Sequence, residues 1–289
     1  MRHTFALAAL LFGTLLIGCG DPIPQDYTPE IVVEAYLFVD EPIRGVRVYT
    51  TQSLADTFLF NRAMIRNAEV TITSPDGVIP LRFVDDSLGG RFDAIDTSLR
   101  VKPTTKYDLL VKASGQTLTS STNTPNRFTW VTPPKAELIY PGFGSETAYQ
   151  DSLIIRWSLD AGVKQWLISV TCEDTSGYGQ YLTPPTADTN LRIRDEERDD
   201  GTAFEFETTR MFFIQFNQSP TAWQAFKWYG KHTIEIYAPD ANLFDWYKAT
   251  RLSGASYNPL LGSIKGGIGV FGSAYRISSP TFLFKEVKK

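Results

Sequence analysis

Short runs of alternating apolar and polar residues, separated by turn residues, dominate the chain and predict β-strands rather than helices. Residues 31–39 form the first such run. In 69–73, Val70 and Ile72 fall on one face, with Glu69, Thr71 and Thr73 on the other. Ser74-Pro75-Asp76-Gly77 is a turn by its chemistry, proline presetting φ and glycine supplying freedom. Leu81 to Phe83 continues the hairpin, and strands at 91–93 and 107–111 follow. Pro103 in a corner, with Tyr107 at the strand entrance, predicts the tyrosine corner of immunoglobulin-like sandwiches.

Thr122 to Asn126 is a boundary by composition, and a second β region follows it. One strand ends at Trp157 and the next opens at Trp166, spacing that predicts a fibronectin-like core. Residues 177–201, rich in Pro, Thr and Asp, predict a long surface loop; strands resume at 204–216 and 232–237. Ser219-Pro220 predicts a helix start before Trp223 and Phe226. Asp240 can cap a helix in which Leu243, Trp246, Tyr247 and Thr250 share a face. Two closing strands are expected, at 266–271 and 282–284. The expected fold is therefore mainly β. It comprises two immunoglobulin/fibronectin-like β-sandwich domains, 28–125 and 126–289, the second with short helices near 220–228 and 241–251.

The N-terminal segment breaks this pattern. Arg2 precedes an unbroken apolar or small-residue run from Phe5 to Ile17, too short to span a bilayer but suited to a signal peptide. Leu16-Ile17-Gly18-Cys19 matches a bacterial lipobox, so residues 1–18 are expected to be removed at a site recognised through Leu16, Ile17 and Gly18. Cys19 would accept diacylglycerol before that cleavage and an amine-linked acyl chain such as palmitate after it, because stable anchoring takes more than one chain. Residues 19–27 would form a Pro-rich tether. Short alternating strands are also the signature of an outer-membrane barrel. The lipobox and the charged end, Lys285 to Lys289, favour a water-exposed body beside the membrane instead.

Composition narrows the functional classes. An apolar share of 43% is enough for a packed core, and a net charge of −4 argues against a general nucleic-acid binder. With Cys19 acylated, Cys172 has no partner for an intrachain disulfide. His232 is the one histidine beyond the signal segment, which removes most zinc-site patterns and calls for no cofactor or metal. Gly267-Ile268-Gly269-Val270-Phe271-Gly272 fits the dinucleotide fingerprint by letter, but lacks the following helix and acidic residue. Glycines that admit a neighbouring backbone are the expectation there. The acidic run 195–200 does not follow EF-hand spacing and is expected to be a solvated loop. Cys172 is in phase with Ile168 and Val170 and should point inward. His232 is in phase with Ile234 and Ile236 and should pack at a sheet rim. No catalytic residues emerge. Among the dense aromatics, Trp223, Trp228 and Trp246 are the candidate binding residues, most of that set being expected in the core.

Several features recur together: the lipobox, the 33–36 strand, Asn67 to Ile72, the 105–111 strand, Thr122 to Pro125, and Asn258-Pro259 followed by Gly266 to Gly272. In this order they resemble a family of Bacteroidota outer-membrane lipoproteins defined only as a domain of unknown function (DUF4249-like). The resemblance implies lipid anchorage at the outer membrane, facing the periplasm or the cell surface. It also implies an accessory role beside TonB-dependent receptors, and supplies no catalytic residues. The expected function is non-enzymatic binding of such a receptor, its ligand or another envelope protein. A carboxylate-based hydrolase and an envelope scaffold or adhesin are the alternatives.

Overall fold

The computed structural model describes residues 27–53, 57, 59–141, 153–193, 208–252 and 262–285. The chain is mainly β, as the alternation predicts. The strands are β1 (Ile31–Phe38), β2 (Arg47–Thr50), β3 (Glu69–Ser74), β4 (Gly77–Val84), β5 (Arg91–Ala94), β6 (Lys106–Ala113), β7 (Gln116–Asn123) and β8 (Trp130–Thr132). They continue with β9 (Glu137–Ile139), β10 (Ile154–Trp157), β11 (Trp166–Cys172), β12 (Thr209–Ile214), β13 (Gln218–Pro220), β14 (Gly230–Pro239) and β15 (Ile268–Phe284).

One large sheet, ordered β12-β11-β14-β15-β1-β2 with β9 added beside β15, is the common wall. On one face it meets a five-stranded sheet, β5-β4-β3-β6-β7, and a three-stranded sheet, β13-β10-β8. Period-two geometry explains the division of labour. Val33, Ala35 and Leu37 of β1 join Ile72, Leu109, Val111, Leu118 and Phe271 in the first core. Trp166, Ile168 and Val170 of β11 join Trp157, Phe226, Ile234 and Ile236 in the second.

β15 ties the two sandwiches together. Its first part pairs parallel with β1, from Val32 opposite Ile268 to Phe38 opposite Ala274. The remainder pairs antiparallel with β14, from Pro239 opposite Ala274 to Gly230 opposite Leu283. The sequence division after residue 125 is thus crossed by the topology, because residues 268–274 complete the first sandwich. The two expected closing strands are likewise one 17-residue strand.

Local predictions reappear as specific contacts. The backbone N–H of Lys102 donates to Tyr107 Oη at 2.8 Å, forming the tyrosine corner. Asp240 caps the helix Ala241–Tyr247 by accepting from Leu243 N. The helix expected near 220–228 is instead strand β13 followed by one 3-10 turn, Trp223–Ala225. The described part of the 177–201 loop holds a short 3-10 turn, Gly179–Tyr181.

The fingerprint-like glycines serve close packing. A Cβ on Gly269, whose φ is +117°, would lie 2.0 Å from the Val33 carbonyl oxygen. One on Gly267 would meet Ile31 O at 2.6 Å, and one on Gly272 would meet the Leu243 backbone. These glycines let β15 lie against β1 and under the helix.

Candidate binding groove on the outer sheet face

The opposite face of the large sheet is also covered, but only in part. Residues of β1 that point away from the first core, Glu34, Tyr36 and Phe38, form a floor with Leu167, Met211 and Tyr237. Leu243, Trp246, Tyr247 and Thr250 form the wall, enclosing a concavity of about 530 Å³. Leu243, Trp246 and Tyr247 fall at helical spacing, so one short helix presents all three. Tyr247 Oη donates to Met211 O at 2.9 Å, and Phe244 meets Phe213 edge-on at 5.9 Å, fixing the helix over β11 and β12. At its other end, Asp240 also accepts from Ser273 N and from Thr122 Oγ1 at 2.6 Å, and Asn242 donates to Phe271 O.

An ionic network borders the Phe38 side. Arg276 Nε donates to Glu41 at 2.7 Å, its Nη1 lies 3.3 Å from Glu235, and its guanidinium stacks 5.1 Å from the Phe38 ring centre. Tyr237 Oη donates to Glu235 at 2.6 Å; burial, then the Glu235 carboxylate, hold this phenol well above its usual range. Farther along β1, Glu34 accepts from Tyr49 Oη at 3.1 Å. The groove therefore offers aromatic and aliphatic contact area with a carboxylate at one end. Glu34, Glu41 and Glu235 are each held by a neighbouring phenol or guanidinium.

The sequence-nominated residues are dispersed. Trp246 lines the groove at 8% exposure, whereas Trp223 and Phe226 pack in the second core, and Trp228, also buried, sits opposite Arg192. Neither Trp223 nor Trp228 lines the groove. Tyr36, Phe38, Tyr237 and Met211 were not nominated. The signal for Tyr36 and Phe38 lay in β1, which is apolar in both phases from Ala35 to Phe38, the mark of a strand covered on both faces. Cys19, Leu16, Ile17, Gly18 and the acidic run 195–200 lie outside the described residues.

The remaining candidates are structural. Cys172 is buried, and burial pushes its thiol up to about 11, away from thiolate reactivity. Asp86 accepts from Arg47 at 2.8 Å and from the backbone of Leu88 and Gly90, latching the 86–90 loop. Among the described residues, no group of three or more His, Cys, Asp or Glu side chains could hold a metal ion. No described helix is long and apolar enough to cross a membrane.

His232 sits near the end of the large sheet, opposite Cys172, the last residue of β11, but its side chain is buried: it is 2% exposed, its Nδ1 bonds Gly230 O at 2.9 Å, and its ring meets Phe226. Burial lowers its pKa to about 4, against an ordinary 6.5. The unfolded chain thus binds the proton first, so this stabilisation is complete above pH 6.5 and lost as pH falls towards 4. The loss should approach roughly 3 kcal/mol. Carboxylates such as Asp40 and Asp174, held below their usual range by hydrogen bonds, act only at lower pH. Urea unfolding from pH 7.5 to 4.5 should show this slope, and His232→Gln should flatten it. An equal slope in the variant would refute the assignment.

No protein-family model and no curated protein matches the chain. Among solved structures, an I-band fragment of titin, I67–I69, is 11% identical with a TM-score of 0.19. That alignment covers 90% of this chain and 66% of the titin chain. A titin I67–I69 variant with Glu-to-Ala changes is 10% identical, with the same TM-score and coverage.

Proposed function

We propose that the protein is a lipid-anchored, non-enzymatic envelope lipoprotein that acts beside a TonB-dependent outer-membrane receptor. The groove would take a peptide segment of that partner carrying an apolar side chain followed by a basic one. The observation that carries this reading is the pairing of an aromatic floor with the Glu34 carboxylate at its end. Aromatic anchors in a partly desolvated groove are where binding energy concentrates, and a half-buried carboxylate favours a cationic neighbour. A hydrolase would need two convergent acids, whereas Glu34, Glu41 and Glu235 each hold a structural contact.

Affinity purification of the tagged lipoprotein from detergent-solubilised outer membranes tests the reading. The wild type should recover a TonB-dependent receptor. Tyr36→Ala and Trp246→Ala should each reduce recovery on the order of thirtyfold, the cost of losing one hot-spot anchor. Each variant must keep a wild-type unfolding midpoint for its loss to count. Recovery of the lipoprotein alone, or equal recovery by folded groove variants, would sink the proposal.

A further inference from the structure

A second surface lies where the described chain begins. Tyr27, Leu59 and Leu88 are exposed by 40%, 38% and 57%, and all three lie at this one end of the first sandwich. Tyr27 Oη donates to Thr51 Oγ1, which also accepts from Glu30 N, so the entering chain is fastened to the end of β2. Leu59 and Arg62 line a concavity of about 840 Å³ together with Tyr27, Pro29 and Thr51. A Cβ on Gly89 would come within 2.6 Å of Asn61 Cα, which brings the loop carrying Leu88 beside this end.

The charges here are unevenly committed. Asp86 is engaged by Arg47 and Arg91, and Asp85 by Arg66. Arg62 is exposed and makes no ion pair among the described residues. Glu30, whose N–H bonds Thr51 at this end, is also exposed, so the end carries no broad positive field. What it offers is one guanidinium flanked by a tyrosine and two leucines. That combination suits the membrane interface, where an amphipathic ring and short aliphatic chains sit at headgroup depth and arginine pairs with phosphate.

We propose that this end of the first sandwich rests on the phospholipid headgroups of the anchoring membrane, Arg62 bonding phosphate while Tyr27, Leu59 and Leu88 insert at the interface. The inference rests on the lipid-anchor reading. From Cys19 to Tyr27 the chain can extend at most about 30 Å, which keeps this end within reach of the bilayer. So short a tether also gives a high effective concentration, at which a contact too weak to bind alone is populated. The groove faces away from the first core on the shared sheet and stays free for a protein partner.

The test uses the mature chain in vesicles containing brominated phospholipids, in two forms. One carries its native lipid; the other is Cys19→Ser, tethered by an N-terminal histidine tag to nickel-chelating lipid. A thiol-reactive fluorophore is placed by Leu59→Cys or, as a control on the second sandwich, Leu159→Cys; the buried Cys172 thiol stays unlabelled. Quenching should be strong at 59 and weak at 159 in both forms. Arg62→Gln should lower the bound-to-free ratio of this end about fivefold, the weight of one arginine near a membrane surface. Equal quenching at the two positions, or no effect of Arg62→Gln, overturns the contact. An intact mass lacking acyl chains on Cys19 overturns the anchor instead, and the nickel-tethered form still reads the contact.

Discussion

Cys19→Ala is expected to abolish palmitate uptake and to leave residues 1–18 uncleaved, because lipidation of that thiol precedes cleavage. On the proposed lipid-anchor reading, acyl transfer requires that thiol, and Leu16, Ile17 and Gly18 supply the lipobox that precedes it. Each buried methylene contributes about 0.8 kcal/mol, so one chain holds a protein only reversibly while two or three hold it stably. The interfacial contact proposed for Tyr27, Leu59, Leu88 and Arg62 cannot replace such anchorage, since it depends on the tether for its effective concentration. Palmitate labelling and intact mass of the wild type and of Cys19→Ala measure the effect. A variant that still takes up label, or a wild type that takes up none, would refute the anchor. Globomycin should cause the uncleaved, lipidated precursor to accumulate.

Local chemistry was legible in the sequence, and long-range pairing was not. The Tyr107 corner, the Asp240 cap and the inward Cys172 each depend on a few neighbouring residues, so spacing alone revealed them. β15 is different. Ser278-Ser279-Pro280 looks like a strand break, yet the strand runs through it. Phe282 N donates to Ala136 O, so N–H groups of even-numbered residues there point away from β14. Pro280 therefore lacks its donor on the side where β1 has ended and β9 has not begun, the kind of local edge that tolerates proline. No periodicity argument reveals which edge is vacant. The groove was hidden for a related reason. Tyr36 and Phe38 look like surplus apolar residues until the sheet has two covered faces, and only the fold shows that the helix Ala241–Tyr247 leaves them partly open.

Because β15 belongs to both sandwiches, damage to the first core should be felt in the second. Phe271 is fully buried in the first core, on the stretch of β15 paired with β1. Phe271→Ala should cost about 3–5 kcal/mol, the transfer free energy of the ring plus the cavity left in a packed site. All six tryptophans, Trp130, Trp157, Trp166, Trp223, Trp228 and Trp246, lie in residues 126–289. Tryptophan fluorescence therefore reports the second sandwich and the groove wall, not the site of the lesion. If the shared strand couples the two cores, Phe271→Ala lowers the urea midpoint seen by fluorescence as much as that seen by far-ultraviolet circular dichroism. Trp157→Ala, made in the second core, should shift both probes as well. Its cost should fall at or below that of Phe271→Ala, because the buried Trp157 Nε1 has no hydrogen-bond partner among the described residues and its removal relieves about 1–3 kcal/mol of desolvation. A fluorescence midpoint unmoved by Phe271→Ala, with circular dichroism resolving two transitions, would mean that the sandwiches unfold independently. β15 would then be a hinge between two domains and not a shared structural member. The placement of the groove makes the distinction functional: its floor takes Tyr36 and Phe38 from β1, and Leu167 and Tyr237 from β11 and β14. A binding surface assembled across that strand keeps its shape only while both cores hold β15 in register.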